Sequence, residues 1–453
     1  MNRLVDDVVI LDDLTISFRR TIRVPDNEHV SELPPDLGPF PLFRVKDFVK
    51  SLPSEMVAKG GLLFPMYDRE SMWISFSSEK YYAIKVYSGA VNVISGEPSV
   101  ETAATKLHRR HKVARKESIQ DYIVTPSQRW IDGIATAAGQ VRQFVATPLG
   151  SGYSLEAQAT GQEVAGGLQF EITPLTARAT VQLEERKAQE ARAKMEREMA
   201  MEIARRKQLE EMYRREMEQE SMERSKGEER RERIRASSPP PRRSTRLRGE
   251  PQPQPAEMNL APGGLIRQSI VADDTDPLGP DQWDKDNTIV FNVQILNTSH
   301  FARITGKPAP ATPITAQMYA SLGGAFFSLD EEKSNIAGDF DGLKSVGQLD
   351  GLKELSINPT VYSIGKPSSS SSSGKKSGSK SHHHSKHGSS GSSKTKKPPP
   401  PAKEPEPSLP VVHVPARKKL GAEFFNQGGP KIPFRSVKQL EAELGAARLV
   451  SFD

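Results

Sequence analysis

A run of 55 residues dense in both charges and free of proline divides this chain into parts of different composition. Residues 181–235 carry 16 basic and 15 acidic residues and a single glycine. Glutamates recur four residues before a base, as at Glu190 and Lys194, and each such pair stabilises a solvated helix by about 0.2–0.5 kcal/mol. The pattern predicts a long charged α-helix over 178–235, on the order of 75 Å long at 1.5 Å per residue.

Two interpretations of this helix stay open. A heptad series that begins at Val181 and Ala188 meets glutamate at two of its six positions, whereas a coiled-coil seam needs sustained apolar residues. One interpretation is a single helix that acts as a spacer. The other is a weak coiled coil, formed with a partner or by self-association through 181–235. Half of the 12 methionines lie here and can adapt to irregular partners: Met195, Met199, Met201, Met212, Met217 and Met222.

Residues 15–175 have the composition of a β-rich globular domain. Short segments rich in β-branched and aromatic residues alternate with turn residues, at a spacing typical of an α+β fold on a β-sandwich or a barrel; the pattern does not choose between the two. A helix is predicted at Phe43–Leu52. The predicted strands are Leu14–Val24, Met72–Phe76, Tyr81–Tyr87, Ala90–Ile94, Tyr122–Val124, Gly139–Ala146, Tyr153–Ala159 and Gly167–Ile172.

The remainder divides into linkers and two small segments. The composition of residues 236–282 predicts a disordered basic and proline-rich linker. That of residues 363–410 predicts a disordered, low-complexity linker of Ser, Lys, His and Pro. Between them, 283–350 predicts a small α+β segment with a strand at Thr288–Leu296. Residues 411–453 predict a short docking segment that contains a helix.

Two strings of sequence recur in a second copy that starts 98 residues after the first, and they indicate a duplicated docking unit. Leu322–Phe327 is similar to Leu420–Phe425, and Ser345–Leu349 to Ser436–Leu440. Each Ser-x-x-Gln string suits a capping box at the start of a short helix. The predicted docking residues are Phe326, Phe327, Val346, Leu349, Phe424, Phe425, Val437, Leu440 and Leu444.

The composition excludes several kinds of site. The chain has no cysteine, which excludes disulfides, thiol nucleophiles and cysteine-ligated metals. The net charge is +6, but 1–180 and 251–362 are neutral to acidic, and the basic excess lies in the other segments. Neither a signal peptide nor a long apolar run is visible, so we expect an intracellular protein, in the cytoplasm, the nucleus or both.

No motif points clearly to catalysis. The carboxylates Asp121, Asp132, Glu156 and Glu171 could serve acid–base chemistry, but their spacing brings no two of them together. No phosphate-binding loop or nucleophile elbow is present, and no cofactor is predicted. The weak metal candidates are four histidines of the serine-rich linker, where composition bias explains them better: His382, His383, His384 and His387.

Arginines cluster after the predicted helix, on a segment with the composition of a flexible chain. Such a cluster is typical of a nuclear-import address and, less often, of a nucleic-acid contact. The absence of interleaved aromatic residues argues against stacking on bases. The arginines are Arg230, Arg231, Arg233, Arg235, Arg242, Arg243, Arg246 and Arg248, and phosphorylation of Ser237, Ser238 or Ser244 would offset their charge.

Several strings in 15–175 carry a resemblance to known sequences, among them Leu33–Leu42, Tyr67–Phe76, Gln120–Gly133 and Arg142–Tyr153. Together they resemble a family of uncharacterised fungal and actinobacterial proteins often labelled integral membrane protein. The resemblance implies neither an activity nor catalytic residues. The basic segment Lys106–Lys116 departs from it, in what the sequence predicts to be a variable loop, and the membrane label conflicts with the lack of an apolar run.

The sequence thus predicts a non-enzymatic interaction or scaffold protein of unknown partner, in which a β-rich domain, a helical spacer and docking segments each serve contacts. One alternative is a small-ligand-binding protein or an enzyme with a pocket in 15–175. A second is a nuclear nucleic-acid-associated protein that binds through its basic linkers.

Overall fold

The computed structural model describes residues 2–220, 255–275, 278, 281–329, 334–351, 354, 357 and 359–364, with the side chains of the long helix described as far as residue 211. The strands are β1 Asn2–Val5, β2 Val8–Leu11, β3 Leu14–Thr21, β4 Val30–Ser31, β5 Asp36–Pro39, β6 Phe43–Arg44, β7 Leu62–Met66, β8 Ser71–Ser77, β9 Tyr82–Ser88, β10 Val91–Asn92, β11 Ile123–Thr125, β12 Trp130–Ile131, β13 Gly133–Ala137, β14 Gln140–Pro148, β15 Leu168–Pro174, β16 Glu257–Arg267, β17 Ile289–Asn297, β18 Ala325–Leu329 and β19 Thr360–Ile364. The helices are α1 Ser54–Lys59, α2 Ala103–Ala114, α3 Leu155–Thr160, α4 Ala177–Glu220, α5 Thr298–Thr305, α6 Ala316–Ser321 and α7 Val346–Leu349.

Strands β1 to β17 join in one large, mostly antiparallel sheet. Its main path is β1-β2-β3-β8-β14-β16-β17-β15-β9-β11, with every neighbouring pair antiparallel. The short strands β4 and β7 add in parallel to β16 and β17. The predicted β-rich fold is confirmed, but the barrel alternative is wrong because the sheet does not close on itself.

Aromatic side chains fill the space between distant parts of this curved sheet. Phe18 of β3 lies 5.7 Å, ring centre to ring centre, from Phe170 of β15, although four strands separate β3 from β15 along the path. Phe170 stacks in turn on Phe291 of β17 at 5.0 Å, and Phe18 on Phe64 of β7 at 5.1 Å. The two ends of the sheet therefore share one apolar core, whose burial supplies the main stabilising free energy.

Strands β16 and β17, which follow the long helix in sequence, complete the sheet of the part that precedes it. Strand β16 pairs with β14, and β17 pairs with β15 from Leu168 to Ile172. The structure thus differs from the predicted division into 15–175 and 283–350, and from a linker that fills 236–282. Strand β14 finds a partner for its backbone N–H and C=O groups in residues 257–267, as a buried strand must.

Three local predictions also differ from the structure. The segment Tyr153–Ala159, predicted as a strand, forms helix α3, because the Ser154 side chain accepts from the backbone N–H of Ala157 and caps it. The predicted loop at Lys106–Lys116 lies largely in α2, which opens with a reciprocal capping box at Thr102. The predicted helix at Phe43–Leu52 is strand β6 followed by a 3-10 turn.

The predicted long charged helix is confirmed over the described residues as α4. Its first two turns pack on the sheet, where Ala179 and Leu183 are buried beside Tyr122 and Trp283. From residue 187 to residue 211 every side chain is exposed. Among the described helices, none is both long and apolar enough to cross a bilayer.

Candidate functional sites

Many of the residues singled out in the sequence lie outside the described part of the chain. They are His382, His383, His384 and His387; Arg230, Arg231, Arg233, Arg235, Arg242, Arg243, Arg246 and Arg248; and Phe424, Phe425, Val437, Leu440 and Leu444. Within the described residues, no group of three or more His, Asp or Glu side chains has the arrangement of a metal site.

The docking residues that the structure does describe pack within this chain. Phe326 and Val346 are fully buried, and Phe327 and Leu349 are partly buried. Strand β18 bridges Leu33 through Phe327, and α7 packs on β16 beside Val145. The predicted capping box of α7 is confirmed, since Ser345 and Gln348 bond reciprocally. Phe326 and Val346 therefore belong to the core, and Phe327 packs against it, because the chain itself covers their apolar surface.

Two of the four candidate carboxylates meet in a buried charged cluster on the outer face of the sheet. Asp121 Oδ2 lies 3.0 Å from Lys85 Nζ and 3.2 Å from an Arg109 guanidinium nitrogen. Glu171 of β15 stands directly opposite Lys85 of β9 in the strand register. Asp121 and Glu171 therefore both lie beside Lys85, although their spacing in the sequence gives no reason to place them near one side chain.

Helix α2 covers this cluster and supplies its second cation. The Arg109 guanidinium binds Glu97 through two nitrogens and Glu101 at 3.2 Å. The cavity beside these side chains measures about 10 Å³, room for a single water molecule. Burial, together with the negative charges of Glu171 and Asp121, holds the pKa of the Tyr87 hydroxyl well above its usual range. With no room for a substrate, the cluster serves to fix α2 on the sheet.

A larger cleft opens on the same polar face of the sheet, across β15 and β17. It has a volume of about 490 Å³, which is within the range of small-molecule sites. We call it the β15–β17 cleft and define it by its lining residues, which are Lys59, Gly89, Ala90, Ser99, Val100, Glu156, Thr160, Gln162, Val164, Ala165, Gly166, Leu168, Gln169, Asn292 and Gln294.

Three side-chain amides form the floor of the cleft, and their hydrogen bonds fix their orientation. Gln294 Nε2 donates to the carbonyl oxygens of Met56 and Gly60, at 2.7 and 2.6 Å. Asn292 Nδ2 donates to the carbonyl oxygen of Lys59, and Asn292 Oδ1 accepts from Gln169 Nε2 at 3.0 Å. Because a carbonyl accepts and cannot donate, the nitrogens must face α1, and Gln294 Oε1 is left without a hydrogen-bond donor.

Glu156 fixes the wall of the cleft formed by residues 161–167. Its carboxylate accepts backbone N–H groups of Val164, Ala165 and Gly166 at 2.7–3.1 Å, and the Asn259 amide at 3.2 Å. The Glu156 side chain lies so close to Gly89 that a side chain at that position would overlap it. This candidate acid therefore holds a loop in place, and all its bonding capacity is used.

An ion pair closes the end of the cleft nearest α1. Lys59 Nζ lies 2.6 Å from Glu257 Oε1, and Glu257 is buried at the start of β16. Burial raises the pKa of the Glu257 carboxyl, the Lys59 ammonium opposes that shift, and the negative charges of Glu156 and Glu55 add to it. The remaining candidate acid, Asp132, is buried elsewhere, beside Gln268.

A second exposed feature is the apolar stripe of α4. Met195, Met199 and Ile203 follow one another at four-residue spacing, so they share a face of the helix. They are 59%, 59% and 51% exposed, with Glu198, Glu202 and Arg206 beside them. A row of large apolar side chains in water has an unfavourable hydration free energy that a partner surface would remove.

Sequence reasoning missed the cleft because its residues come from five separated parts of the chain. No local motif joins Lys59, Gln169 and Gln294, and only the pairing of β15 with β17 brings them together. Comparison with protein-family models, curated proteins and solved structures found no match to this chain. The family resemblance noted from the sequence stays a prediction, and the functional argument rests on geometry.

Proposed function

We propose that this chain is a non-enzymatic interaction protein in which the sheet is a platform and α4 is the arm that pairs with a second copy of itself. The observation that carries the proposal is the free length of α4. It leaves the core at about residue 187, and the chain returns at β16 to complete the same sheet. Between residues 187 and 211, where the structure describes the side chains of this excursion, none of them joins the core, so we infer that this part of the helix serves contacts outside the fold.

The base of the arm is firmly held. Thr176 caps α4 through a hydrogen bond to the N–H of Ala179, and Leu183 is buried against the sheet. The ammonium of Lys187 lies 4.5 Å from the ring centre of Tyr81, and Arg186 donates to the carbonyl oxygen of Asp274. A helix fixed over three turns keeps its direction, so the exposed residues extend about 37 Å from the sheet at 1.5 Å per residue.

A second copy of α4 fits the stripe better than a strongly charged partner does. Residues 187–211 contain seven basic and six acidic side chains, so two such arms meet without net repulsion. Methionine adapts to an irregular surface, which suits a series that does not keep a strict heptad. Burial of one methionine side chain contributes about 1.5–3 kcal/mol, enough for a weak but measurable pairing of two short stripes.

Sedimentation equilibrium of the full chain over a wide concentration range tests this proposal. We expect a monomer–dimer equilibrium, and Met199→Glu should raise the dissociation constant at least tenfold by placing a charge in the interface. Met201→Glu is the matched control, because Met201 is 66% exposed but lies about 200° around the helix from Met199. Equal weakening by both variants, or a monomer at every concentration, would contradict pairing and favour a spacer.

Other predictions from the sequence keep the status of proposals. A ligand-binding function is favoured by a separate observation, the β15–β17 cleft, and is developed below. Nucleic-acid binding and nuclear import depend on arginines beyond the described residues, and so does the proposed C-terminal docking segment. A cytoplasmic or nuclear location likewise remains a prediction.

A further inference from the structure

We propose that the β15–β17 cleft binds a small organic cation, an ammonium group carried on an apolar chain. The proposal is independent of the pairing of α4, since the two surfaces share no residue. Three features of the cleft carry it: its apolar walls, the unpaired acceptor in its floor and the excess of acid around it.

The walls offer contact surface to a hydrocarbon chain. Leu168 is buried at the base, and Ala90 and Ala165 line the sides. Val100 and Val164, which also line the cleft, are 61% and 69% exposed, a large fraction for apolar side chains. Covering them removes apolar area from water, which favours binding by about 25 cal/mol per Å².

The floor contains an unpaired acceptor on Gln294, and the N–H donors of the same amide are already used. Gln294 is almost fully buried, its two N–H groups are taken by carbonyls of α1, and its Oε1 accepts no hydrogen bond. Next to it, immediately before β15, lies Gly167, which has no side chain to supply a donor. Because an unpaired buried acceptor is costly, a ligand that brings N–H groups to the floor gains more there than it would on the surface.

Negative charge exceeds positive charge around the cleft. Glu156 and Glu257 are buried at its edge, Glu55 lies one turn from Lys59 on α1, and Lys59 is the sole cation among the lining residues that the structure describes. The Lys59 ammonium is already bound to Glu257. An anionic ligand would therefore find no free partner, and a cation would be attracted by the charge of Glu156, which forms no ion pair among the described residues.

Calorimetric titration of the full chain with three probes of equal length tests the charge of the ligand. The probes are hexylammonium, hexan-1-ol and hexanoate, which share the apolar chain and differ in the head group. We expect hexylammonium to bind at least tenfold more tightly than hexan-1-ol, with no detectable binding of hexanoate. Equal binding of the ammonium and the alcohol, preferential binding of hexanoate, or no binding of any probe would each overturn the proposal.

Two variants that place opposite charges at the same rim position test whether the ligand binds in this cleft. Val164→Glu should tighten hexylammonium binding about threefold and Val164→Arg should weaken it by a similar factor, the effect of a unit charge about 7 Å away in water. Both effects should shrink as salt is added. Val49→Glu and Val49→Arg are matched controls, since Val49 is 49% exposed and lies outside the cleft.

The outcomes distinguish specific binding in the cleft from non-specific attraction to the protein surface. A change of the same sign with Glu and Arg at position 164 would show a steric effect and refute the electrostatic argument. Equal responses at positions 49 and 164 would show non-specific attraction. Gln294→Met, which removes the unpaired acceptor, should weaken binding about tenfold, and because Val164 is exposed, its variants test the proposal even if the Gln294 variant fails to fold.

Discussion

Replacement of Lys85 by methionine should destabilise the fold far more than the loss of an ordinary ion pair. The Lys85 side chain is 2% exposed, and its ammonium is one of two cations among four acids in the cluster under α2. Methionine keeps most of the volume and removes the charge. Asp121 would then depend on Arg109 alone, and Glu171 would still stand opposite position 85 in the sheet.

The expected loss follows from the distance and the burial. At 3.0 Å, the Lys85–Asp121 attraction is about 5 kcal/mol for an effective dielectric constant of about 20. Removal of one partner of a buried pair costs about 3–5 kcal/mol, because the other charge stays buried without compensation. We therefore expect the free energy of unfolding to fall by about 3–5 kcal/mol, and the midpoint of thermal unfolding by roughly 6–10 °C at about 2 °C per kcal/mol.

Urea unfolding followed by tryptophan fluorescence measures this change. Trp283 is buried with its ring centre 6.2 Å from that of Tyr122, the neighbour of Asp121, so its emission reports on the region next to the cluster. Lys80→Met is the matched control: Lys80 pairs with Asp12 at 2.5 Å, but both side chains are about 60% exposed. The control should cost less than about 1 kcal/mol, as exposed ion pairs do.

Two results would refute the reasoning. A loss below about 1 kcal/mol for Lys85→Met would mean that the acids of the cluster do not need this cation. Equal losses for Lys85→Met and Lys80→Met would mean that burial does not set the magnitude. Adding Asp121→Asn to Lys85→Met should cost less than the sum of the single changes, with a coupling of about 1–3 kcal/mol.

Three further changes test the placement of single side chains. Phe326→Ala should lower the free energy of urea unfolding by about 3–5 kcal/mol, because Phe326 is a core residue; an exposed docking residue would show almost no loss. Burial raises the pKa of the Asp273 carboxyl, although hydrogen bonds from Thr275 and Tyr122 oppose the shift. The protonated carboxyl therefore stabilises the fold fully below the pKa of 3.8 that it has in the unfolded chain, and this stabilisation is lost as the pH rises through the higher pKa of the folded protein. Asp273→Asn should therefore flatten the fall of unfolding free energy with pH in mildly acidic solution; an unchanged slope would contradict this assignment. Gly347→Ala should cost about 1–3 kcal/mol in thermal unfolding, since its Cβ would come within 2.9 Å of Asp26, and no change in midpoint would show that α7 shifts freely.

The strands that alternate or carry β-branched runs could be predicted from the sequence, and β16 could not. Strands β8 and β17 lie within a residue or two of the predicted segments. In β16, Pro262, Gly263 and Gly264 follow each other and resemble a linker, yet the strand is buried on both faces. The glycines are needed because a side chain at position 264 would overlap the carbonyl oxygen of Pro25. A strand whose backbone must approach a neighbouring backbone closely contains glycine, and it therefore has low β propensity.

The repeated strings show a second limit of sequence reasoning. They are similar in letters, but the second copy has Glu423 where Ala325 is buried, and Lys438 where Gly347 lies against Asp26. Those two positions in the first copy tolerate neither a charge nor a long side chain. The sequence therefore predicts a duplication, while only the neighbours of each position show that the first copy packs on the core.

Because β16 and β17 lie far along the chain, the order of synthesis constrains how this sheet forms. When β15 has left the ribosome, β14 and β15 have β8 and β9 beside them but still lack β16 and β17, and about 120 further residues must be made before Asn297 completes β17. At about 5–20 residues per second this takes roughly 6–25 seconds, during which unpaired strand edges are open to other chains. Expression in cells with limited chaperone capacity should therefore yield aggregates of nascent protein, and a fragment that ends at residue 175 should never become a folded product.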